Sequence, residues 1–111
     1  MEWEIHYFHE DVQAAIVAFP AGIQARYIHL TQRMVIFGPY LGMPHTRAMG
    51  KGLFELRMKS KEGIGRVFFC TRSGQRIMML HAFIKKSAKT PPKELEIARA
   101  RLQEVKANED A

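Results

Sequence analysis

Residues 52–57 read Gly-Leu-Phe-Glu-Leu-Arg, residues 65–69 read Gly-Arg-Val-Phe-Phe, and residues 80–91 read Leu-His-Ala-Phe-Ile-Lys-Lys-Ser-Ala-Lys-Thr-Pro. In each stretch, positively charged side chains lie beside apolar residues that favour strands. When apolar and polar residues alternate, one face of a strand is buried and the other faces water. The three stretches therefore predict a small sheet with one positively charged face, and we expect the rest of the chain to pack around this sheet.

The positive charge is concentrated in this part of the chain. Twelve of the 17 Lys and Arg residues lie between residues 47 and 93, where Glu55 and Glu62 are the only acids, so this segment carries a net charge of +10. The whole chain carries +6. A local excess of this size indicates a polyanionic partner. Nucleic acid, an acidic protein and an anionic membrane surface are the candidate classes.

The length and composition narrow the class of protein. A chain of 111 residues is long enough for one core, so we expect a single domain over residues 1–111. Cys70 is the only cysteine, which excludes an internal disulfide and favours a small core residue in a reducing compartment. No apolar run reaches the ~20 residues of a membrane span, and residues 1–4 lack signal-peptide features. We expect a soluble cytoplasmic protein.

The first half of the chain predicts a short strand followed by two helices. The strand is indicated by apolar residues at alternate positions from Trp3 to Tyr7, and Pro20 separates the two helices. The first helix has its apolar stripe at Val12, Ala15, Ile16 and Phe19. The second helix has its stripe at Ile23, Tyr27, Leu30, Met34 and Phe37. Gly38 and Pro39 end the second helix.

The second half predicts three strands and a final helix. Residues 40–52 are predicted to be a loop, residues 54–59 and 66–71 a hairpin, and residues 77–84 a central strand covered on both faces. Thr90 is the expected N-cap of the last helix, with Pro91 at its first position. The predicted order is β-α-α-β-β-β-α. This order indicates an α+β domain with two N-terminal helices packed on a small twisted, mostly antiparallel sheet.

The cations of the sheet suggest both binding and catalysis. RNA can be cleaved without a metal when a base assists attack by the 2′-hydroxyl and cations stabilise the charge that develops on the phosphoryl oxygens. Arg66 and Arg57 are the candidates for this stabilising role, because arginine contacts two oxygens and stays charged. His81 is the candidate acid or base, although a histidine inside a buried strand is also typical of a hydrogen-bonded core residue.

Other cations from the strands and their ends complete the predicted site. Lys85 and Lys86 close the last strand and join the catalytic set. The residues predicted to bind RNA phosphates are Arg47, Lys51, Lys59, Lys61 and Lys89. The sequence contains no cysteine pair, no clustered metal-ligand histidines and no phosphate-binding glycine motif ahead of a helix, so we expect neither a metal nor another cofactor.

The three stretches, together with Lys89-Thr90-Pro91 and Glu94-Leu95-Glu96-Ile97-Ala98, resemble the phage-derived, HigB-like branch of the RelE/HigB superfamily of bacterial toxins. The resemblance covers residues 52 to about 102. It implies the toxin of a type II toxin–antitoxin pair, an mRNA interferase that cuts mRNA on the translating ribosome. It also implies inhibition by an antitoxin, often a helix-turn-helix protein. Operator DNA would be contacted only by this antitoxin and not by the toxin itself. Basic residues of the family sheet bind and cleave RNA, which implies such roles for Arg57, Arg66, Lys85 and Lys86.

The chain departs from the better-known RelE-like members in one respect. Those members place a tyrosine near the C-terminus beside the scissile phosphate, whereas this chain has no tyrosine after Tyr40. The resemblance favours a metal-independent, ribosome-dependent endoribonuclease. A non-catalytic nucleic-acid-binding module and a pure interaction protein with an acidic partner are the alternatives. The nuclease hypothesis requires that the cations of separate strands lie together on one surface and that they are not buried in ion pairs with acids of the same chain.

Overall fold

The computed structural model describes residues 2–85 and 91–110, with side chains described up to residue 108. The elements in these ranges are β1 (Glu4–Tyr7), α1 (Glu10–Val17), α2 (Ala21–Phe37), β2 (Thr46–Gly50), β3 (Leu53–Ser60), β4 (Gly63–Arg72), β5 (Arg76–Lys85) and α3 (Pro92–Asp110). The strands form one sheet in the order β1-β5-β4-β3-β2. β1 pairs with β5 in parallel, and the other pairs are antiparallel. The predicted α+β, RelE-like fold is confirmed.

Helices α1 and α2 cover one face of the sheet, which we call the helical face. The alternation in β3 and β4 supplies an apolar surface that the stripes of both helices bury. The core residues of this face include Ile23, Leu30, Met34, Leu56, Val67 and Met79, all with no exposed surface. Gly65 of β4 allows the closest approach, because a Cβ at this position would lie 2.5 Å from Cγ2 of Ile23.

Helix α3 covers only part of the opposite face, which we call the open face. Its residues Ala98, Leu102 and Val105 pack on Leu53 of β3, Phe68 of β4 and apolar residues of β5. Glu55 and Arg57 follow Leu53 at two-residue steps, so they point to the same face beyond the apolar part. One face of the sheet is therefore divided into an apolar half under α3 and a charged half.

An ion pair fixes α3 against the rest of the molecule. Arg101 donates from Nη2 to Oδ2 of Asp11 at 2.7 Å and from Nη1 to the carbonyl oxygen of Leu80 at 2.8 Å. Its guanidinium group also lies 5.1 Å from the ring centroid of Phe8. The pKa of Asp11 is lowered, mainly by its hydrogen bond with Arg101. These contacts join α1, β5 and α3, and they hold α3 on one half of the open face.

Two sequence predictions are wrong in detail. The predicted loop at residues 40–52 contains β2, in which Thr46 pairs with Leu56 across the edge of β3. The pairing with an existing strand compensates for the weak strand pattern of this segment. Phe37 is 76% exposed, although it was assigned to the buried stripe of α2. The space at this end of α2 is occupied by Trp3, which donates a backbone hydrogen bond to the Val35 carbonyl and packs beside Gly38.

The last helix begins one residue later than the sequence indicated. Pro92, and not Pro91, is its first residue, and the predicted N-cap Thr90 lies outside the described residues. Pro91 still contributes to the start of the helix, because its carbonyl oxygen accepts hydrogen bonds from the backbone of Glu94 and Leu95. Among the described helices, none is both long enough and apolar enough to span a membrane.

Candidate nucleic-acid interface

The register of the sheet brings most of the predicted site residues to the charged half of the open face. Arg57 of β3 lies directly opposite Arg66 of β4. Ile64 of β4 pairs with Lys59 of β3 on one side and with Lys85 of β5 on the other. Partners across a sheet point to the same face. The alternation of three separate strands therefore builds one cationic surface, and we call Arg57, Lys59, Arg66 and Lys85 the strand cations.

Glu55 is the acid within this surface, and it holds two arginines. Nη1 of Arg66 donates to Oε2 of Glu55 at 2.7 Å, and Nη2 of Arg47 donates to Oε1 at 3.2 Å. The Glu55 side chain is fully buried, the Arg66 side chain is 3% exposed and the Arg47 side chain is 43% exposed. Arg66 was predicted to touch the RNA phosphate. The structure places it beneath the surface, where its charge is still close to the open face but its guanidinium group is bound to Glu55.

The other strand cations have no such acid. Among the described residues, neither Arg57, Lys59 nor Lys85 forms an ion pair, and Nε of Arg57 is buried without a hydrogen-bond partner. The pKa of Lys85 is lowered, first by desolvation and then by the positive charge of Arg66, with Glu55 acting in the opposite direction. An anion placed among these cations would relieve their repulsion, so this part of the face is suited to bind a phosphate group.

His81 lies on the same face beside the strand cations. It pairs with Phe68, two residues along β4 from Arg66, and its ring stacks on Phe83 with a centroid distance of 5.9 Å. Nε2 of His81 lies 3.1 Å from Oε1 of Glu94, and the two side chains are 17% and 22% exposed. A carboxylate that hydrogen-bonds one ring nitrogen fixes the orientation of the imidazole. His81 is therefore held by a partner of the kind that orients the acid or base in many catalytic sites.

Glu94 is not among the residues that the sequence predicted for the site. It lies 13 residues after His81, in the first turn of α3, where an acid is also expected for its favourable interaction with the helix dipole. The signal was present in the sequence, since Glu94 belongs to a stretch that resembles the toxin family. Its contact with His81 could be recognised only once α3 was seen to place this carboxylate against β5.

The remaining predicted cations are more dispersed. Lys51 lies in the turn between β2 and β3, at the opposite end of β3 from Lys59. Lys61 lies in the β3–β4 turn, beyond the end that carries Lys59, and both Lys51 and Lys61 are exposed. Lys86 and Lys89 lie outside the described residues. Within residues 2–85 and 91–108, no three His, Cys, Asp or Glu side chains are grouped as metal ligands would be.

The fold and the site together define a class. A mostly antiparallel sheet with two helices on one face and a cationic area on the other is a RelE-like α+β architecture. Residues 14–103 match the family described as Phage derived protein Gp49-like (DUF891), and the chain therefore belongs to this family, which lies in the RelE/toxin-like group. No curated protein sequence matches the chain.

Proposed function

We propose that this protein is the HigB-like toxin of a type II toxin–antitoxin pair, and that it is a metal-independent endoribonuclease that cleaves mRNA on the translating ribosome. The observation that carries the proposal is the joint position of the strand cations and the His81–Glu94 pair on one face of the sheet. Membership of the Gp49-like family supports the toxin assignment. The dependence on the ribosome follows from the resemblance to RelE/HigB toxins.

The reaction requires few groups. The 2′-hydroxyl of one nucleotide attacks the adjacent phosphorus, the bond to the 5′-oxygen breaks, and a 2′,3′-cyclic phosphate and a 5′-hydroxyl end result. One proton leaves the 2′-oxygen and another is delivered to the 5′-oxygen. The pentacoordinate transition state has more negative charge on its phosphoryl oxygens than the ground state, so fixed cations stabilise it selectively.

The environments of the arginines and lysines suggest different roles. Arg57 and Lys85 are partly exposed and lack acidic partners among the described residues, so we assign them to contact the scissile phosphate. Arg66 is bound to Glu55, so we assign it a positioning role that also adds positive charge beneath the phosphate. His81 exchanges protons with the reacting oxygens, and Glu94 orients its ring. This division assigns an acid or base without the C-terminal tyrosine of better-known relatives.

The proposed partners follow from the charge of the face and from the family. The mRNA and the ribosome supply phosphates to the cationic area. A cognate antitoxin, expected to be a helix-turn-helix protein, would inhibit the toxin, and an acidic segment on it would be complementary to the unpaired cations. Operator DNA would be bound by the antitoxin, with the toxin present only through its partner.

The test is fragment mapping of mRNA in a bacterial translation extract. The wild-type protein is expected to produce new 5′-hydroxyl ends in translated mRNA, and His81→Gln is expected to reduce the cleavage rate by about 10²- to 10⁴-fold, as for loss of a general acid or base. Arg76→Gln is the control, because Arg76 begins β5 whereas Lys85, one of the strand cations, ends it. Cleavage that requires a divalent metal, or cleavage by His81→Gln at the wild-type rate, would contradict the proposed mechanism.

A non-catalytic nucleic-acid-binding module is the second candidate. The burial of Arg66 with Glu55 favours it, because a predicted catalytic arginine is already occupied within the protein. This module would bind RNA with a steep dependence on salt but leave it intact. The same extract separates the two candidates, because a bound and uncleaved mRNA with stalled ribosomes would support the module and exclude the nuclease.

A further inference from the structure

A second cationic site lies at the edge of the sheet, beside the start of β2, where β3 extends past β2 and is paired only with β4. Arg26 of α2, Pro44 and His45 from the segment before β2, and Arg57 and Lys59 of β3 line a cavity of about 430 Å³. The backbone N–H of Arg57 donates to the His45 carbonyl oxygen at 2.8 Å, which fixes this segment against β3. The cavity is thus built from three separate parts of the chain.

The lining of this cavity is positive and contains no acid. Three of its five lining residues are Arg or Lys, and within the described part of the chain Arg26, Arg57 and Lys59 have no ion-pair partner. The Nε atoms of Arg26 and Arg57 are both buried and lack a hydrogen-bond partner in the same ranges, as do those of Arg66 and Arg72. Buried donors normally have an acceptor. Only the first two of these arginines line the cavity, so a ligand in it could approach both.

The cations around His45 extend the positive region along α2. The pKa of His45 is lowered, first by desolvation and then by the charges of Arg33, Arg26 and His29. Arg26, His29 and Arg33 follow one another at three- and four-residue steps, so they lie along one side of α2. His45 is consequently surrounded by positive charge from another element, and an anion in the cavity would reduce this repulsion.

We propose that this cavity binds a second phosphate group of the RNA backbone, next to the phosphate that lies among the strand cations. The proposal rests on the proposed function in one respect, namely that the strand on the open face is RNA. Arg57 connects the two sites, because it faces Arg66 across the sheet and also lines the cavity. The RNA strand would pass from the open face over the edge of β3 and reach Arg26.

The volume of the cavity favours a nucleotide over a simple ion site. At about 430 Å³ it lies within the range of about 300–1,000 Å³ that is typical of small-molecule pockets. Pro44 and His45 provide flat surfaces in the cavity wall, and histidine rings are among the side chains on which unpaired RNA bases stack. The arginines would bind the phosphate, while the ribose or base of the same nucleotide would contact Pro44 and His45.

The first experiment uses inorganic phosphate as the probe and NMR of the full chain as the readout. Phosphate is expected to shift the ring signals of His45 and the Nε–Hε signals of Arg26 and Arg57, and Arg26→Gln is expected to weaken this binding. Arg76→Gln carries the same change in charge at the far end of the sheet, and it should leave the titration unchanged. Equal shifts at Arg76 would indicate unspecific screening and would overturn the site, as would the absence of shifts at the cavity.

The second experiment measures the binding of a single-stranded RNA with 2′-O-methyl groups, which cannot be cleaved by 2′-hydroxyl attack. The logarithm of its binding constant falls with the logarithm of the salt concentration by about 0.7 for each phosphate contacted. Arg26→Gln is expected to reduce this slope by about 0.7, as loss of one contact, whereas Arg76→Gln is expected to keep the wild-type slope. An unchanged slope for a folded Arg26→Gln protein would overturn the RNA assignment of the cavity.

The two proposals fail in different ways. A wild-type protein that cleaves no mRNA, but whose RNA affinity has the expected dependence on Arg26, would remove the nuclease and keep the second phosphate site. A protein that cleaves mRNA, but whose Arg26→Gln variant binds the uncleavable RNA with the wild-type slope, would keep the nuclease and remove the site. A chain that binds inorganic phosphate in the cavity but no RNA would contradict the assignment of the ligand as RNA.

Discussion

Arg57 and Arg66 lie directly opposite each other in neighbouring strands, and the Nε of each is buried without a hydrogen-bond partner among the described residues, yet the two differ in exposure and in acidic partners. Arg66 is 3% exposed and bound to Glu55, whereas Arg57 is partly exposed and, among the described residues, has no ion-pair partner. Glu55 precedes Arg57 by two residues on the same face, so it is diagonal to Arg66 and within its reach. We propose on this basis that Arg66 stabilises the surface and that Arg57 binds its ligand.

The largest expected effect is the loss of stability in Arg66→Ala. The substitution leaves the carboxylate of Glu55 buried, with Arg47 as its one remaining ion-pair partner among the described residues. Removal of one partner of a buried ion pair reduces the free energy of unfolding by about 3–5 kcal/mol. Chemical denaturation followed by circular dichroism measures this loss. A cost below about 1 kcal/mol would show that Arg66 does not stabilise the surface, and the distinction between the two arginines would fail.

Gly65→Ala sharpens the comparison, because it alters the neighbour of Arg66 without altering a charge. The added Cβ would lie 2.5 Å from Ile23 and 3.1 Å from Met58 on the helical face. Overpacking of this kind costs about 1–3 kcal/mol of stability. The RNA affinity, measured at a temperature and denaturant concentration at which the variant is folded, should remain at the wild-type value. A marked loss of RNA affinity in the folded Gly65→Ala protein would show that destabilisation alone impairs binding, and affinity could then not separate the roles of Arg57 and Arg66.

The ion pair of Asp11 and Arg101 is more exposed than that of Glu55 and Arg66, so its loss should reduce stability less. Asp11 is 53% exposed, so Asp11→Asn should cost no more than about 1 kcal/mol. The pKa of Asp11 is lowered in the folded state, so its contribution to stability is present above the unfolded pKa, near 4, and is lost as the pH falls through the folded value. Denaturation curves between pH 2 and about 6 should therefore converge for the variant and the wild type at the acidic end. A constant difference over this range would contradict the assigned role of Asp11.

The smallest effect on stability is expected for Arg57→Ala. This variant removes no ion pair among the described residues and also relieves repulsion with Arg66, so the free energy of unfolding should change by no more than about 0.5 kcal/mol. Its RNA affinity should nevertheless fall, with a less steep dependence on salt. A stability loss as large as that of Arg66→Ala would eliminate the contrast between the two positions.

Much of the fold was accessible from local patterns. The alternation of residues 54–59, the turn at residues 61–63 and the apolar run at residues 77–84 predicted three strands, and the stripes at Ile23 and Leu30 predicted the packing of α2. β2 was missed because Thr-Arg-Ala-Met-Gly has no clear apolar alternation, and its strand geometry depends on pairing with β3. Whether a segment forms an edge strand therefore depends on partner strands that lie elsewhere in the sequence.

The site was less accessible for the same reason. The concentration of cations between residues 47 and 93 predicted a cationic face, but which cation has an acid partner depends on register. The Glu55–Arg66 pair requires a diagonal contact between β3 and β4, and the His81–Glu94 pair requires the docking of α3 on β5. Arg26 was treated as a polar residue of α2, because its position beside Arg57 arises only when the helix packs on the sheet edge.

The most direct test of this account is an NMR map of the arginine Nε–Hε signals during saturation with the uncleavable 2′-O-methyl RNA. The expected result is a large shift for Arg57 and Arg26, a smaller one for Arg66, which remains bound to Glu55, and none for Arg76. Equal shifts of Arg66 and Arg57 would mean that the buried ion pair opens to bind RNA. Shifts confined to arginines outside the open face and the edge cavity would contradict the account as a whole.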